Sequence, residues 1–266
     1  MKVKIYTFSY NRPDFIPLQF KSIKNFIKED YEYIVFNDGK NNSIRNKIKE
    51  NCDNLGVKHI ITHFTDIKSP SEAHAYLLQW AFHNIIIHDK QCICCLIDPD
   101  MFFITETSIE KYLNGYDLAG IPQYRRHVKY LYPNILFLKM DNLPNKENIN
   151  FMNGLVEGEK TDTGGFLYYW LKQNKRLKIK YIQHTSHIYS KNNNMHCLPD
   201  EIKREYNDDY RFDIIDKMIL HYGRGSNWDK KDTSFHINKT NLAFRFVNGC
   251  IMGDIVLPKY VYKFND

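Results

Sequence analysis

Two carboxylates separated by one proline, Asp98-Pro99-Asp100, follow six uninterrupted apolar residues, Cys92-Ile93-Cys94-Cys95-Leu96-Ile97. That run is too short for an independent helix and has no polar face, so it reads as a central strand buried on both sides. A carboxylate pair beside so apolar a strand is costly to bury unless a cation or a hydrogen-bond network compensates it. Pro99 restricts the backbone between the two and removes a donor, favouring a stiff exit that aims both side chains at one point. A few oxygen ligands of this kind suit magnesium or manganese shared with a phosphate-bearing substrate. A D-x-D triplet alone also occurs in solvated turns. Its place at the carboxyl end of a buried strand favours the site, because open α/β sheets bind ligands there.

Three further positions carry candidate chemistry. His221 ends a short apolar run and is followed by Tyr222-Gly223-Arg224-Gly225-Ser226-Asn227-Trp228. A histidine there can supply a nitrogen ligand while the glycine-broken backbone approaches phosphate, or it can simply be satisfied in a turn. Ser69-Pro70-Ser71-Glu72 is a capping box with proline at the first helical position, so a helix starts there. His74 lies in its first turn, either facing the same crevice or serving the structure. Thr161-Asp162-Thr163-Gly164-Gly165 places a carboxylate before two glycines and ahead of the apolar aromatic run Phe166 to Leu171. Asp162 there can cap the helix that follows.

The elements that must position these residues follow from periodicity. Lys2 to Phe8 reads as the first strand, ending in the loop Ser9-Tyr10-Asn11-Arg12-Pro13. A helix follows from about Asp14, with Ile16, Phe20, Ile23 and Ile27 at helical spacing. The second strand, Tyr31 to Phe36, closes at the turn Asn37-Asp38-Gly39. A helix over about 43–55 and a short strand over 58–62 come next. The helix from Ser69 carries Ala73, Leu77, Trp80 and Ala81 on one face and runs to about Ile86, feeding the Cys92 strand. This β-α-β-α-β-α-β order is a doubly wound half-sheet, whose usual strand order 3-2-1-4 sets the first strand beside the Asp98 strand. Thr7 to Arg12, Asp38 and Asp98 to Asp100 then sit at strand ends around one crevice. Beyond Phe103 the pattern loosens. It predicts a short helix at 108–113, a strand at 117–121, an unassigned polar aromatic stretch from Gln123 to Pro133, and a strand at 135–139. A helix from Phe166, strands at 177–182 and 218–221, and a long polar loop at 191–209 complete it. No internal repeat or interdomain linker is visible.

The chain of 266 residues suffices for one large α/β domain, and 43% hydrophobic with 26% charged residues is an ordinary globular balance. The aromatic share, 15%, suits cores and sugar-contacting surfaces equally. The formal charge of +6 is dispersed except for a cluster from Lys172 to Lys180, which reads as a solvated face or a site for an anionic ligand or membrane surface. Nucleic-acid recognition motifs are missing, so a nucleic-acid partner is not expected. The six cysteines, at 52, 92, 94, 95, 197 and 250, lack paired metal-finger spacing. Those in the strand read as small hydrophobes, which fits a reducing, cytoplasmic compartment. No apolar run approaches the length of a transmembrane segment, and since the N-terminal residues enter a strand directly, secretion by a cleaved signal is not expected.

Together, Thr7-Phe8-Ser9-Tyr10-Asn11-Arg12-Pro13, Asn37-Asp38-Gly39, Asp98-Pro99-Asp100 and His221 resemble the GT-A class of nucleotide-sugar-dependent glycosyltransferases. The chain looks particularly like small glycosyltransferase domains of large DNA viruses of algae and amoebae, and of bacterial polysaccharide loci. The resemblance covers residues 1 to about 230. It implies a single Rossmann-like α/β domain with a mostly parallel central sheet flanked by helices. Its nucleotide-binding half would span about 1–103 and its acceptor-side half about 104–230, with 231–266 an extension packed on the same domain. It also implies transfer of a sugar from a nucleoside-diphosphate sugar, a UDP-sugar first and a GDP-sugar next, to a hydroxyl of a glycan or glycoconjugate. Thr7, Phe8, Tyr10, Arg12, Asp38, His74 and Asp98 would hold the donor nucleotide. Asp98, Asp100 and His221 would ligate Mn2+ or Mg2+, and Asp162 would be the general base, although an acidic residue before Thr-Gly-Gly departs from the Glu-Asp pair of that class. For a viral protein the location implied is the host cytoplasm. A noncatalytic nucleotide-sugar or glycan-binding module is an alternative. So is a sugar nucleotidyltransferase, but Ser9-Tyr10-Asn11-Arg12 is not the glycine-rich loop the latter uses.

Overall fold

The computed structural model describes residues 1–64, 67, 69–187, 200–225 and 232–257. The chain begins with strand β1 (Lys2–Ser9), helix α1 (Phe15–Phe26), β2 (Tyr31–Asn37), α2 (Asn42–Leu55), β3 (Lys58–Ile61), α3 (Pro70–Asn84) and β4 (Cys92–Ile97). It continues through β5 (Met101–Phe103), α4 (Ile109–Tyr112), β6 (Leu118–Arg125), β7 (Val128–Lys139), β8 (Gly154–Val156), β9 (Glu159–Thr161), α5 (Leu167–Gln173) and β10 (Ile179–Tyr181). β11 (His184–His187), α6 (Asp200–Glu205), β12 (Asp213–Ile215), β13 (Ile219–His221) and α7 (Thr233–Met252) complete it. These elements fall into two compact units, the first comprising 1–17, 27–99 and 108–182, the second 18–26, 100–107 and 183–266.

The first unit is built on a seven-stranded sheet of order β10-β6-β7-β4-β1-β2-β3. β4 pairs in parallel with β1, and β1 with β2, as the expected 3-2-1-4 arrangement requires. β7 then runs antiparallel between β4 and β6. Every residue of β4 is buried, which is why its sequence carries no polar position. Helix starts and stops follow local chemistry. The Asn41 side chain accepts from the Ile44 amide at 3.0 Å to open α2, which ends on Gly56 in the left-handed conformation. Ser69 accepts from the Glu72 amide to open α3, with Pro70 at its start.

The stretch from Gln123 to Pro133 is ordered rather than irregular. It forms the hairpin of β6 and β7, pairing Tyr124 with Lys129 and Arg125 with Val128. Its polar residues satisfy each other across the strands, as where the Tyr130 hydroxyl donates to Gln123 Oε1 at 2.7 Å. Such cross-strand partnering leaves no amphipathic alternation to read.

The second unit holds a four-stranded antiparallel sheet, β11-β12-β13-β5. The expected strand at 218–221 is β13; its neighbour β12 lacks a sequence signal of its own. Within the expected loop 191–209, residues 200–205 form α6, while 191–199 lie outside the described residues. α7 is capped by Asp232, which accepts from the Phe235 amide at 2.8 Å. It buries Leu242, Phe246 and Val247 on one face. Among the described residues, no helix is long and apolar enough to cross a membrane.

Candidate functional site

In the first unit the carboxyl ends of β1, β2 and β4 bring several predicted residues to one edge. Thr7 pairs with Ile97 in register, one residue before Asp98. The Asp98 amide donates to Asn134 O on the strand connection at 2.8 Å, fixing the turn out of β4. His74 Nε2 lies 3.7 Å from Asp98 Oδ1, and its ring packs 5.7 Å from that of Phe8. The first turn of α3 therefore reaches the end of β4. Thr7 Oγ1 and Ser9 Oγ are buried hydroxyls with no hydrogen-bond partner among the described residues. Buried polar atoms normally have one.

The other predicted donor residues have structural partners. Asp38 is buried, its Oδ1 accepting from the Thr62 hydroxyl at 3.0 Å and the Phe64 amide at 2.8 Å. It ties the end of β2 to the segment after β3. Phe8 stacks on Phe36 at 5.1 Å in the hydrophobic core. Arg12 forms a two-pronged pair with Asp14, Nε to Oδ1 at 2.9 Å and Nη2 to Oδ2 at 2.6 Å, and lies 3.5 Å over the Phe15 ring. Tyr10 is half-buried, and its carbonyl accepts from the Lys40 amide at 2.9 Å.

In the second unit, β13 pairs antiparallel with β5, setting His221 opposite Met101. His221 Nε2 comes 3.6 Å from Asp100 Oδ1. On the other side of the ring, Nδ1 lies 3.4 Å from Oδ2 of Asp213, which is 1% exposed. Asp100 Oδ2 accepts from the Gly225 amide at 3.0 Å, and the Asp100 carbonyl accepts from the Tyr222 amide at 2.8 Å. The intervening loop is pinned by Lys239 of α7, whose buried ammonium donates to Gly223 O at 2.6 Å and sits 3.8 Å over the Tyr222 ring. Gly223 has φ +70, and an added Cβ would meet Arg211 O at 2.7 Å, so only glycine fits that turn. Ser226, Asn227 and Trp228 lie outside the described residues.

A divalent cation fits this group. Asp100 Oδ1 and His221 Nε2 are too far apart for a good hydrogen bond but close enough to ligate one ion. A carboxylate on the far nitrogen of a metal-binding imidazole is the arrangement that holds its tautomer and orientation. An oxygen and nitrogen donor set of this kind suits manganese or magnesium.

Asp162 sits in a third group, within the first unit. Its Oδ1 accepts from the Ser71 hydroxyl and from the Thr163 amide, the latter at 2.8 Å. Its own amide donates to the Tyr130 hydroxyl at 3.2 Å. Helix α5 begins only at Leu167 and has no side-chain cap, so Asp162 does not cap it. Tyr130 also lines a cavity of about 490 Å3 whose walls include Lys129, Tyr168, Lys172, Lys175 and Tyr181. Part of the basic cluster thus lines a pocket. Sequence reasoning missed Ser71, Tyr130 and Asp213. Ser71 lies in the capping box at a position that motif leaves open, Tyr130 carries no motif, and Asp213 follows an aromatic residue in a stretch without periodicity.

No family model and no curated protein matches this sequence. Among solved structures, the chain is similar to galactosyltransferase LgtC in complex with donor and acceptor sugar analogs, at 11% identity over 67% of this chain and 72% of that one, TM-score 0.41. It is also similar to mouse xyloside xylosyltransferase 1 in its apo form, at 10% identity over 68% and 85%, TM-score 0.43. An active-site mutant of LgtC gives 10% identity over 67% and 72%, TM-score 0.43. Likenesses of this degree establish neither a family nor an activity for the chain.

Proposed function

We propose that the chain is a metal-dependent glycosyltransferase that moves a sugar from a nucleoside-diphosphate sugar, a UDP-sugar in the first instance, to a hydroxyl of a glycan or glycoconjugate. The observation that carries this reading is His221 held between Asp213 and Asp100 in the second unit. Asp100 and His221 would hold Mn2+ or Mg2+. When bound, the ion neutralises charge on the departing diphosphate as a Lewis acid.

The chain's own residues do the rest. Thr7 and Ser9 offer unpartnered hydroxyls to the nucleoside, and Asp38 keeps that edge in shape through Thr62 and Phe64. His74 steadies Asp98. Asp162 takes the proton of the acceptor hydroxyl as that oxygen attacks the sugar carbon. Ser71 and Thr163 orient its carboxylate through Oδ1, and the cavity beside Tyr130 receives the acceptor.

Melting temperature in the presence of uridine, guanosine, thymidine and cytidine diphosphates, with and without manganese, tests the reading. Ligand at about 100 times its dissociation constant adds about 2.7 kcal/mol of stability, a shift of several degrees for a chain of this size. The expected result is a shift that requires both nucleotide and metal. No shift with any of the four removes the donor site, and an equal shift in chelator removes the metal from it.

A further inference from the structure

At the amino ends of the two central strands of the first unit lies a cluster that the proposed transfer reaction does not use. Residues two apart on a strand share a face, so Cys92 and Cys94 of β4 point the same way. Asp89, just before the strand, meets them there. The two sulfurs are 3.9 Å apart, and Cys94 Sγ donates to Asp89 Oδ2 at 3.4 Å. All three side chains are buried, and one donor atom from each lies within 4.8 Å of the others. Two residues of β1 complete the group: the Lys4 ammonium on Asp89 Oδ1 and the Tyr6 hydroxyl on Oδ2.

These spacings match a known coordination geometry. With zinc–sulfur bonds of about 2.3 Å and a zinc–oxygen bond of about 2.1 Å, a tetrahedral ion places its two sulfurs about 3.8 Å apart and each sulfur about 3.6 Å from the oxygen. We propose that Asp89, Cys92 and Cys94 form a binding site for one thiophilic divalent cation of the zinc and cadmium class, with a fourth position open.

Charge and hydrogen bonding agree with this assignment. In the metal-free chain, Lys4 balances Asp89 and both thiols are neutral. Binding releases two thiol protons and brings in two positive charges, so the buried group carries the same net charge in both states. The lone pair on Asp89 Oδ2 that accepts the Cys94 S–H is freed when that proton leaves, while Tyr6 keeps the other. Lys4 stays on Oδ1 as the outer partner that orients the carboxylate. Burial and Asp89 hold the Tyr6 phenol far above its ordinary value, so it remains a donor. Cys95 points to the opposite face, and burial keeps its thiol protonated. Thiolates select against manganese and magnesium, so this site and the carboxylate–histidine group would take different ions.

The test is titration of the full chain with cadmium and zinc, reading the sulfur-to-cadmium charge-transfer absorption, the metal stoichiometry by native mass spectrometry, and protons released into weak buffer. One thiolate-bound ion per chain is expected, with about two protons released. Cys92→Ser and Cys94→Ser should each weaken binding by more than the roughly 10–100-fold that loss of an outer partner costs, and Lys4→Gln by about that amount. Asp100→Asn should keep the absorption band, and excess manganese should not displace it. Absence of the band in the wild type overturns the proposal. So does a band that survives in the Cys92→Ser/Cys94→Ser double variant, which would place the ion on other thiols. If the serine variants fail to fold, Asp89→Asn serves in their place. It keeps the side-chain volume, and unchanged cadmium affinity in it would equally overturn the site.

Discussion

Asp213 Oδ2 and His221 Nδ1 face each other at 3.4 Å, leaving the opposite ring nitrogen 3.6 Å from Asp100 Oδ1. Under the proposed metal role, the buried carboxylate would orient the ring from the side opposite the ion. Asp213→Asn keeps the volume but weakens the hold on the ring. Manganese affinity should fall by about 10–100-fold while the fold survives. Manganese titration followed by electron paramagnetic resonance measures this, and unchanged affinity would show that Asp213 serves packing alone.

Asp162→Asn is a clean variant because the hydrogen bonds from Ser71 and Thr163 fall on Oδ1, which asparagine retains. The transfer rate should drop by about 10²–10⁴-fold with donor affinity nearly unchanged. Ser71→Ala should cost less, since it disturbs orientation and leaves the base. Near-normal transfer by the asparagine variant would retire Asp162 as base.

Gly164 has φ +85, and an added Cβ would meet Leu131 O at 2.8 Å and Pro133 Cδ at 2.8 Å. Gly164→Ala should destabilise the chain by about 1–3 kcal/mol through backbone strain and contact with β7. Urea unfolding gives the number. A loss under about 0.5 kcal/mol, the range of neutral surface changes, would mean that the turn relaxes freely.

Burial pushes the Cys52 thiol up to about 12 and that of Cys250 up to about 12. A raised thiol pKa means that the folded chain keeps a proton which the unfolded chain loses above its ordinary value, 9.0. The stability contributed is intact below pH 9 and falls as pH rises toward 12, by up to about 1.4 kcal/mol per pH unit per thiol. Cys52→Ala should lower the melting temperature at pH 7 through the cavity it leaves, yet flatten its decline between about pH 9 and 11. Parallel decline in the two proteins would assign the alkaline loss to other groups.

Asp38→Ala removes the acceptor for the Thr62 hydroxyl and the Phe64 amide. Leaving these donors without their partner should cost about 1–3 kcal/mol. Nucleoside diphosphate affinity should fall as well, if this edge holds the donor. Melting and nucleotide titration on one sample separate the two, and an affinity equal to wild type would confine Asp38 to a structural role.

The sheet was legible in the sequence where burial is two-sided or helix caps are local. The Cys92 to Ile97 run announces β4 because a strand covered on both faces tolerates no polar position. Ser69 and Pro70 announce α3 because an N-terminus is satisfied within one turn. The β6–β7 hairpin was not legible, since its polar residues find partners on the facing strand, as Tyr130 finds Gln123. α7 was not expected either, although its buried Lys239 pins the loop after His221.

The sequence by itself determined that Asp98 and Asp100 leave a buried strand together, because adjacency along the chain and the stiffness of Pro99 are covalent properties. Only the tertiary structure decided that Asp213 backs His221, that Ser71 bonds Asp162, and that Asp89 joins Cys92, Cys94, Lys4 and Tyr6. Those meetings depend on β12 pairing with β13, on α3 reaching the turn before α5, and on β1 lying beside β4. Strand register and helix docking are set by long-range packing, which a local pattern does not encode.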